Sequence, residues 1–181
     1  MFTIKKVNST IISIMTTQYD VLLTALNELI EINYSRVDGY KKAADDIDGG
    51  DLKGLFQGMV NESEHFADQL SAHVEKFGGD PATGSTFTGK IHQAWLDFKA
   101  AISSNNRETI LSSCEFGDET AIKAYDTALA LDKVQASPDF MSLLHSQRSS
   151  ISESLKVIQS LRSSEHHAKS EQETLSNQAK Y

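Results

Sequence analysis

The chain has 181 residues, enough for one domain with a proper core and short for two. Two Pro and ten Gly among abundant helix formers favour an all-α domain over β architectures, which need more turn residues. A net charge of −8 without a basic face excludes a nucleic-acid binder, and a single cysteine, Cys114, excludes an internal disulfide and fits a reducing compartment.

Residues 1–16 read as an N-terminal extension. Lys5-Lys6 precede a short apolar run, Val7 to Met15, interrupted by Asn8, Ser9, Thr10 and Ser13. The run is too broken for a secretory leader, and no small-x-small cleavage site follows. Met15 competes with Met1 as the natural start. No stretch approaches the roughly 20 apolar residues of a membrane span. The expectation is a cytoplasmic protein with no membrane partner.

A four-helix body is expected over 17–162. The first helix starts near Thr17, where Thr17-x-x-Asp20 has the form of a capping box. Its apolar stripe is Leu22, Ala25, Leu29, Ile32, Val37, Tyr40, Ala44 and Ile47, at three- and four-residue steps. Asp48-Gly49-Gly50 stops it, and Asp51 is placed to cap the second helix. That helix carries Leu55, Met59, Phe66, Leu70, Val74 and Phe77, and ends at Gly78-Gly79-Asp80-Pro81. A short amphipathic helix follows, with Ile91, Trp95, Phe98 and Ile102. The third long helix carries Ile110, Cys114, Ala121, Tyr125 and Ala128. Ser137-Pro138-Asp139 starts the fourth, with Phe140, Leu144, Ile151, Leu155, Ile158 and Leu161. Residues 163–181 form a polar tail, read as a frayed helix or a disordered segment. Two short joins and one long connection give two antiparallel hairpins with a crossover, the ferritin-like arrangement.

The hairpins resemble each other at a shift of 85 positions, the separation of Tyr40 and Tyr125. The shift also pairs Val37 with Ile122, Leu55 with Phe140, Phe66 with Ile151 and Leu70 with Leu155, without a gap. A duplicated hairpin is the simplest account. The same shift marks a polar level. Asn33 pairs with Asp118, Glu62 with Gln147, and His65 with Ser150. Asn33, Glu62, Asp118 and Gln147 stand in or beside the apolar stripes, where a simple core would hold Leu or Ala.

Glu62-Ser63-Glu64-His65 is the spacing that bears on metal chemistry. A di-metal carboxylate site in a bundle takes one Glu from each of two helices and Glu-x-x-His from each of the other two. Here Glu62 and His65 form one such pair. The second is replaced by Gln147-Arg148-Ser149-Ser150, and the single-carboxylate positions hold Asn33 and Asp118. The candidate metal ligands are Glu62, His65 and Asp118, with Asn33 and Gln147 as polar partners and iron or manganese as the ion. The expectation is a degenerate site with no cofactor: a hydrogen-bonded layer in which amides donate to Glu62 and Asp118, with the Tyr40 and Tyr125 hydroxyls at hand.

The chain also resembles a known family, on Leu26-Asn27-Glu28-Leu29-Ile30-Glu31-Ile32-Asn33, Gly39-Tyr40-Lys41-Lys42-Ala43-Ala44 and Leu52-Lys53-Gly54-Leu55-Phe56. Phe77-Gly78-Gly79, His92 to Ala101, Cys114-Glu115 and Lys123-Ala124-Tyr125 extend the match. It resembles a bacterial four-helix-bundle family of unknown function in the ferritin-like superfamily. The resemblance implies a ferritin-like bundle and supplies no catalytic residue.

No catalytic residue is assigned from the sequence either. His73 sits at a helix end, His166-His167 lie in the polar tail, and Cys114 falls on an apolar stripe. Gly54 and Gly58 share a face that would admit a close helix or a second subunit. Two function classes follow. One is a non-enzymatic binding or structural protein, stress-related in role, acting through its surface, a protein partner or self-association. The alternative is a di-metal oxidoreductase or iron-handling protein using Glu62, His65 and Asp118.

Overall fold

The computed structural model describes residues 2–47, 50, 52–85 and 106–178. They form α1 (Phe2–Asp46), α2 (Lys53–Lys76), α3 (Arg107–Leu129), the single-turn α4 (Asp132–Gln135) and α5 (Pro138–Gln178). The Asp48-Gly49 stop, Asp51 and the Trp95 helix lie outside the described residues.

Helix α1 begins at Phe2, so Thr17 is an interior residue and not its cap. Nothing stops the helix earlier: there is no Pro in α1 and no Gly before Gly39. Helix α5 begins at Pro138 as the sequence indicates and continues to Gln178, again without Pro or Gly after its first residue. At about 1.5 Å per residue, α1 and α5 far outrun α2 and α3, which have 24 and 23 residues.

Contacts fix the topology. Tyr40 stacks near Phe56 and Tyr19 near Phe77, so α2 returns along α1. Asn33 meets Tyr125 while Tyr40 meets Asp118, so α3 also runs against α1. Arg148 pairs with Asp126 and Gln159 with Glu115, so α5 runs against α3. Helix α1 packs closely on α2 and α3, and α3 on α5, while α2 and α5 close the ring more loosely.

Helix ends follow local chemistry. Gly78 takes φ +78°, which L side chains rarely adopt, and its N–H donates to the Glu75 carbonyl, while Gly79 N–H donates to the Val74 carbonyl. A Cβ on Gly79 would stand 2.8 Å from Leu23 Cδ2, so the turn lies tight on α1. Asn27 then clamps the departing chain. Its Nδ2 donates to the Asp80 carbonyl at 3.0 Å, and its Oδ1 accepts from Ala82 N–H at 2.8 Å. Ser85 donates to Asp38 at 2.6 Å, so the crossover climbs along α1. At the far end Asn106 caps α3, its Oδ1 accepting from Thr109 N–H at 2.8 Å. Gly54 and Gly58 are exposed, and among the described residues a Cβ on either meets nothing within 4 Å, so no described helix uses them for close approach.

The core is split in two. One apolar cluster gathers Leu22, Leu26, Leu29, Phe66, Leu70, Phe140, Leu144 and Ile151. The other gathers Val37, Ile47, Phe56, Met59, Leu111, Cys114 and Ile158. Buried polar residues lie between them: Asn33, Arg36, Ser63, Asp118 and Gln147.

The clamp gives a test. Asn27→Ala removes both crossover bonds and is expected to cost about 1–3 kcal/mol. Limited proteolysis checks it: cleavage should speed up within 79–85 and stay unchanged in α3 and α5.

Candidate functional site

The polar level consists of two stacked networks. The upper one is built on Arg36, which projects from α1 and is buried with only 1% of its side chain exposed. Its Nε donates to Asp118 Oδ1 at 2.9 Å, and its Nη1 donates to Ser63 Oγ at 2.8 Å. Ser63 Oγ in turn donates to the Met59 carbonyl at 2.7 Å. Tyr40 donates to the second carboxylate oxygen of Asp118 at 2.7 Å, so that carboxylate is bonded on both sides. Arg36 Nη2 makes no hydrogen bond among the described residues and lies 3.9 Å from Glu62 Oε2. Glu62 stands at the mouth between α2 and α5, with 31% of its side chain exposed, and Ser154 approaches it at 3.5 Å.

The lower network is a neutral relay. Asn33 Nδ2 donates to Tyr125 Oη at 2.8 Å, Tyr125 donates to Gln147 Oε1 at 2.8 Å, and Gln147 Nε2 donates to Gln69 Oε1 at 2.8 Å. It joins all four long helices and ends at the half-buried Gln69.

The structure thus brings Asn33, Glu62, Asp118 and Gln147 to one region. It does not bring His65 there: His65 is exposed. The buried arc of α2 (Phe56, Met59, Val60, Ser63, Phe66, Ala67, Leu70, Val74) centres on Ser63. At about 100° per residue, Glu62 lies at its margin and His65 about 160° from its centre. The amides also differ from expectation. Asn33 and Gln147 both bond to Tyr125, and the carboxylate partner of Asp118 is Arg36. Sequence reasoning missed Arg36, although it sits three residues after Asn33 and four before Tyr40, in phase with the stripe. Glu115 is turned away to Arg162 and Gln159.

Burial sets the proton affinities. Desolvation raises the Asp118 carboxyl above its ordinary range, against the opposing pull of Arg36 and the Tyr40 hydrogen bond. Glu62 is also raised, by burial first and by the Asp118 charge, with Arg36 opposing. Arg36 is raised: the Asp118, Tyr40 and Glu62 contributions together outweigh its own desolvation. Burial pushes the Cys114 thiol and the Tyr125 phenol well up, so both are neutral and Cys114 is no nucleophile. His73 packs on Phe140 with ring centroids 5.0 Å apart, and burial lowers its pKa.

A bundle of four long helices with a crossover between the hairpins and a polar level at mid-height defines a ferritin-like protein. Solved structures share this fold. A ferritin-like diiron-carboxylate protein of Bacillus anthracis str. Ames superposes with a TM-score of 0.67 at 16% identity, covering 80% of this chain and 97% of that one. The Desulfovibrio desulfuricans bacterioferritin gives 0.66 at 16% identity, covering 81% of each chain. A dodecameric thioferritin of Bacteroides fragilis gives 0.66 at 13% identity, covering 84% of this chain and 90% of that one. Within this class, the chain belongs to the family described as Domain of unknown function (DUF2383), which residues 21–131 match. Comparison with curated proteins gives no match by sequence.

The fold raises the question of a di-metal centre, and the side chains as placed do not fit one. Among the described residues no three His, Cys, Asp or Glu side chains converge. The two carboxylates of the level face a buried guanidinium, whose charge repels a second cation at the same place. Gln147, where a carboxylate would stand, is committed to Tyr125 and Gln69.

Two outcomes follow. Tyr125→Phe leaves Gln147 Oε1 without its donor and Asn33 Nδ2 with only its bond to the Leu29 carbonyl, and is expected to cost about 1–3 kcal/mol in urea unfolding, more than an exposed tyrosine change. The raised Glu62 carboxyl means the native state binds its proton before the unfolded chain does. Its contribution to stability therefore falls as pH rises from about 4.5 through the native pKa. Glu62→Gln should raise the melting temperature relative to wild type most at pH 8, with the difference closing towards pH 4.5. A constant difference across that range would rule the assignment out.

Proposed function

We propose that this chain is a non-catalytic binding or structural module, built on a ferritin-like bundle whose metal-site level is a degenerate, protein-only polar layer. The observation that carries this reading is the Arg36 guanidinium bonded to Asp118 and facing Glu62, the two carboxylates a metal would need. Such a module acts through its bundle surface, through a protein partner or by self-association.

The same reading takes the hairpins as copies about a pseudo-twofold axis, and the contacts support it in exchanged pairs. Asn33 meets Tyr125; Asp118, shifted by 85 from Asn33, meets Tyr40, shifted by 85 from Tyr125. Glu62 approaches Ser154; Gln147 meets Gln69 under the same shift.

The competing reading is a di-metal oxidoreductase or iron-handling protein. It draws on Glu62 and Asp118 reaching one cationic group from different helices. Metal analysis separates the two. Untagged protein is incubated anaerobically with ferrous iron, desalted and measured by plasma mass spectrometry. The expected result is iron well below one equivalent, unchanged in Glu62→Ala and His65→Ala. Near-stoichiometric iron, lost in those variants, would establish the competing reading.

A further inference from the structure

Charge is matched to charge separately in each half of the layer. In the first half Asp118 and Glu62 are carboxylates, and Arg36 lies between them. The shift of 85 positions turns Asp118 into Asn33, Glu62 into Gln147 and Arg36 into Ala121, which is fully buried. So the half with two anions holds a guanidinium, and the half with two amides holds a methyl group. Arg36 is therefore the counter-ion of those two carboxylates, more than a general stabiliser of the core. The oxygens around its head group are Asp118 Oδ1, Ser63 Oγ and Glu62 Oε2, with Tyr40 Oη on the far side of the Asp118 carboxylate.

We infer that Arg36 is a tethered cation standing where a hard divalent ion would bind, and that its charge is what keeps such an ion out of the Asp118–Glu62 half. This rests on the degenerate-site reading above and goes one step further: the half retains a latent cation site. A buried carboxylate and a half-exposed one without a counter-charge repel one another, and a cation is the remedy the geometry allows. An all-oxygen donor set suits manganese(II) better than zinc, because hard oxygen ligands favour the harder ion. Among the described residues the guanidinium also leaves one buried arm, Nη2, without a hydrogen bond, beside the half-exposed Glu62 between α2 and α5. Glu62 is the ligand of this half that solvent reaches.

The test is manganese(II) binding at pH 8, read by loss of the six-line electron paramagnetic resonance signal of the aqueous ion. Full-length protein, stripped with chelator, is compared with Arg36→Ala, Arg36→Lys and the triple variant Arg36→Ala/Asp118→Asn/Glu62→Gln. The triple variant gives the first half the residues of the second. Wild type and Arg36→Lys are expected to leave the signal intact. Arg36→Ala is expected to take up one equivalent, at least tenfold more tightly than wild type, and the triple variant to lose that gain. Arg36→Ala that is folded and binds no manganese overturns the inference and leaves the proposed function standing. Stoichiometric binding by wild type, lost in Asp118→Asn, overturns both. If Arg36→Ala unfolds without metal, circular dichroism reads the same titration. Recovery of helicity with manganese supports the inference. Failure to recover, while the triple variant folds, overturns it.

Discussion

Burying one guanidinium in the middle of a helical bundle constrains everything around it. Desolvating an ion costs several kcal/mol, and the loss is recovered only with close, well-aligned partners. Arg36 meets that condition through Asp118, Ser63 and the nearby Glu62, with the Tyr40 ring 5.6 Å from its Cζ. These partners come from three helices. A slide of α2 or α3 along α1 by one turn would move a partner about 5.4 Å and leave a buried charge unmatched. The apolar clusters above and below supply most of the burial, but they tolerate repacking. The charged layer does not, so the relative heights of α1, α2 and α3 are held chiefly there. Helix α5 is tied in by the neutral relay instead, through Gln147.

The two networks differ in what they ask of the solvent. The relay from Asn33 to Gln69 carries no net charge, and its one buried side-chain atom without a hydrogen bond among the described residues is Asn33 Oδ1. The upper network holds two carboxylates and one guanidinium, an excess of one negative charge if all are ionised. Glu62 is the member that can relieve it, since Asp118 is closed off by Arg36 and Tyr40 while Glu62 reaches water. Its proton affinity is raised by burial first, and the Asp118 charge adds to that against the pull of Arg36. Glu62 lies on the looser side of the bundle, between α2 and α5.

Much of the architecture was legible in the sequence, because it depends on periodicity and on breakers. The α3 stripe is buried throughout; those of α1 and α5 are buried except for the half-buried Ala25, Ala44, Leu155 and Leu161, while the buried Leu26 and Ile30 fell outside the α1 stripe, and Pro138 and Gly78-Gly79 marked real ends. The shift of 85 positions located the polar level before any geometry was known. What failed was angular detail. A Glu-x-x-His spacing puts two side chains on one face, but it does not say which face. Phe66 and Ser63 set the buried arc of α2, and that arc turns His65 to solvent. Arg36 was passed over because long cationic side chains usually snorkel to the surface. The available signal was electrostatic: two in-phase carboxylates demand a positive partner, and Arg36 is the cation in register with them. The early start of α1 was missed for a simpler reason, as a capping pattern is a weak signal inside a stretch with no breaker.

Fold and chemistry part company at this layer. The diiron-carboxylate protein and the bacterioferritin share the bundle at 16% identity, a level at which backbone shape persists while side chains are free to change. A carboxylate-bearing bundle needs positive charge at its centre, from an ion or from its own chain. A bound ion makes stability depend on ion concentration, by RT ln(1 + [L]/Kd) for a single site. A tethered guanidinium removes that dependence, at the cost of closing the position to substrate-like ions. Its effective concentration is fixed by the helix that carries it. A bundle held in this way keeps its shape whether metal is scarce or abundant.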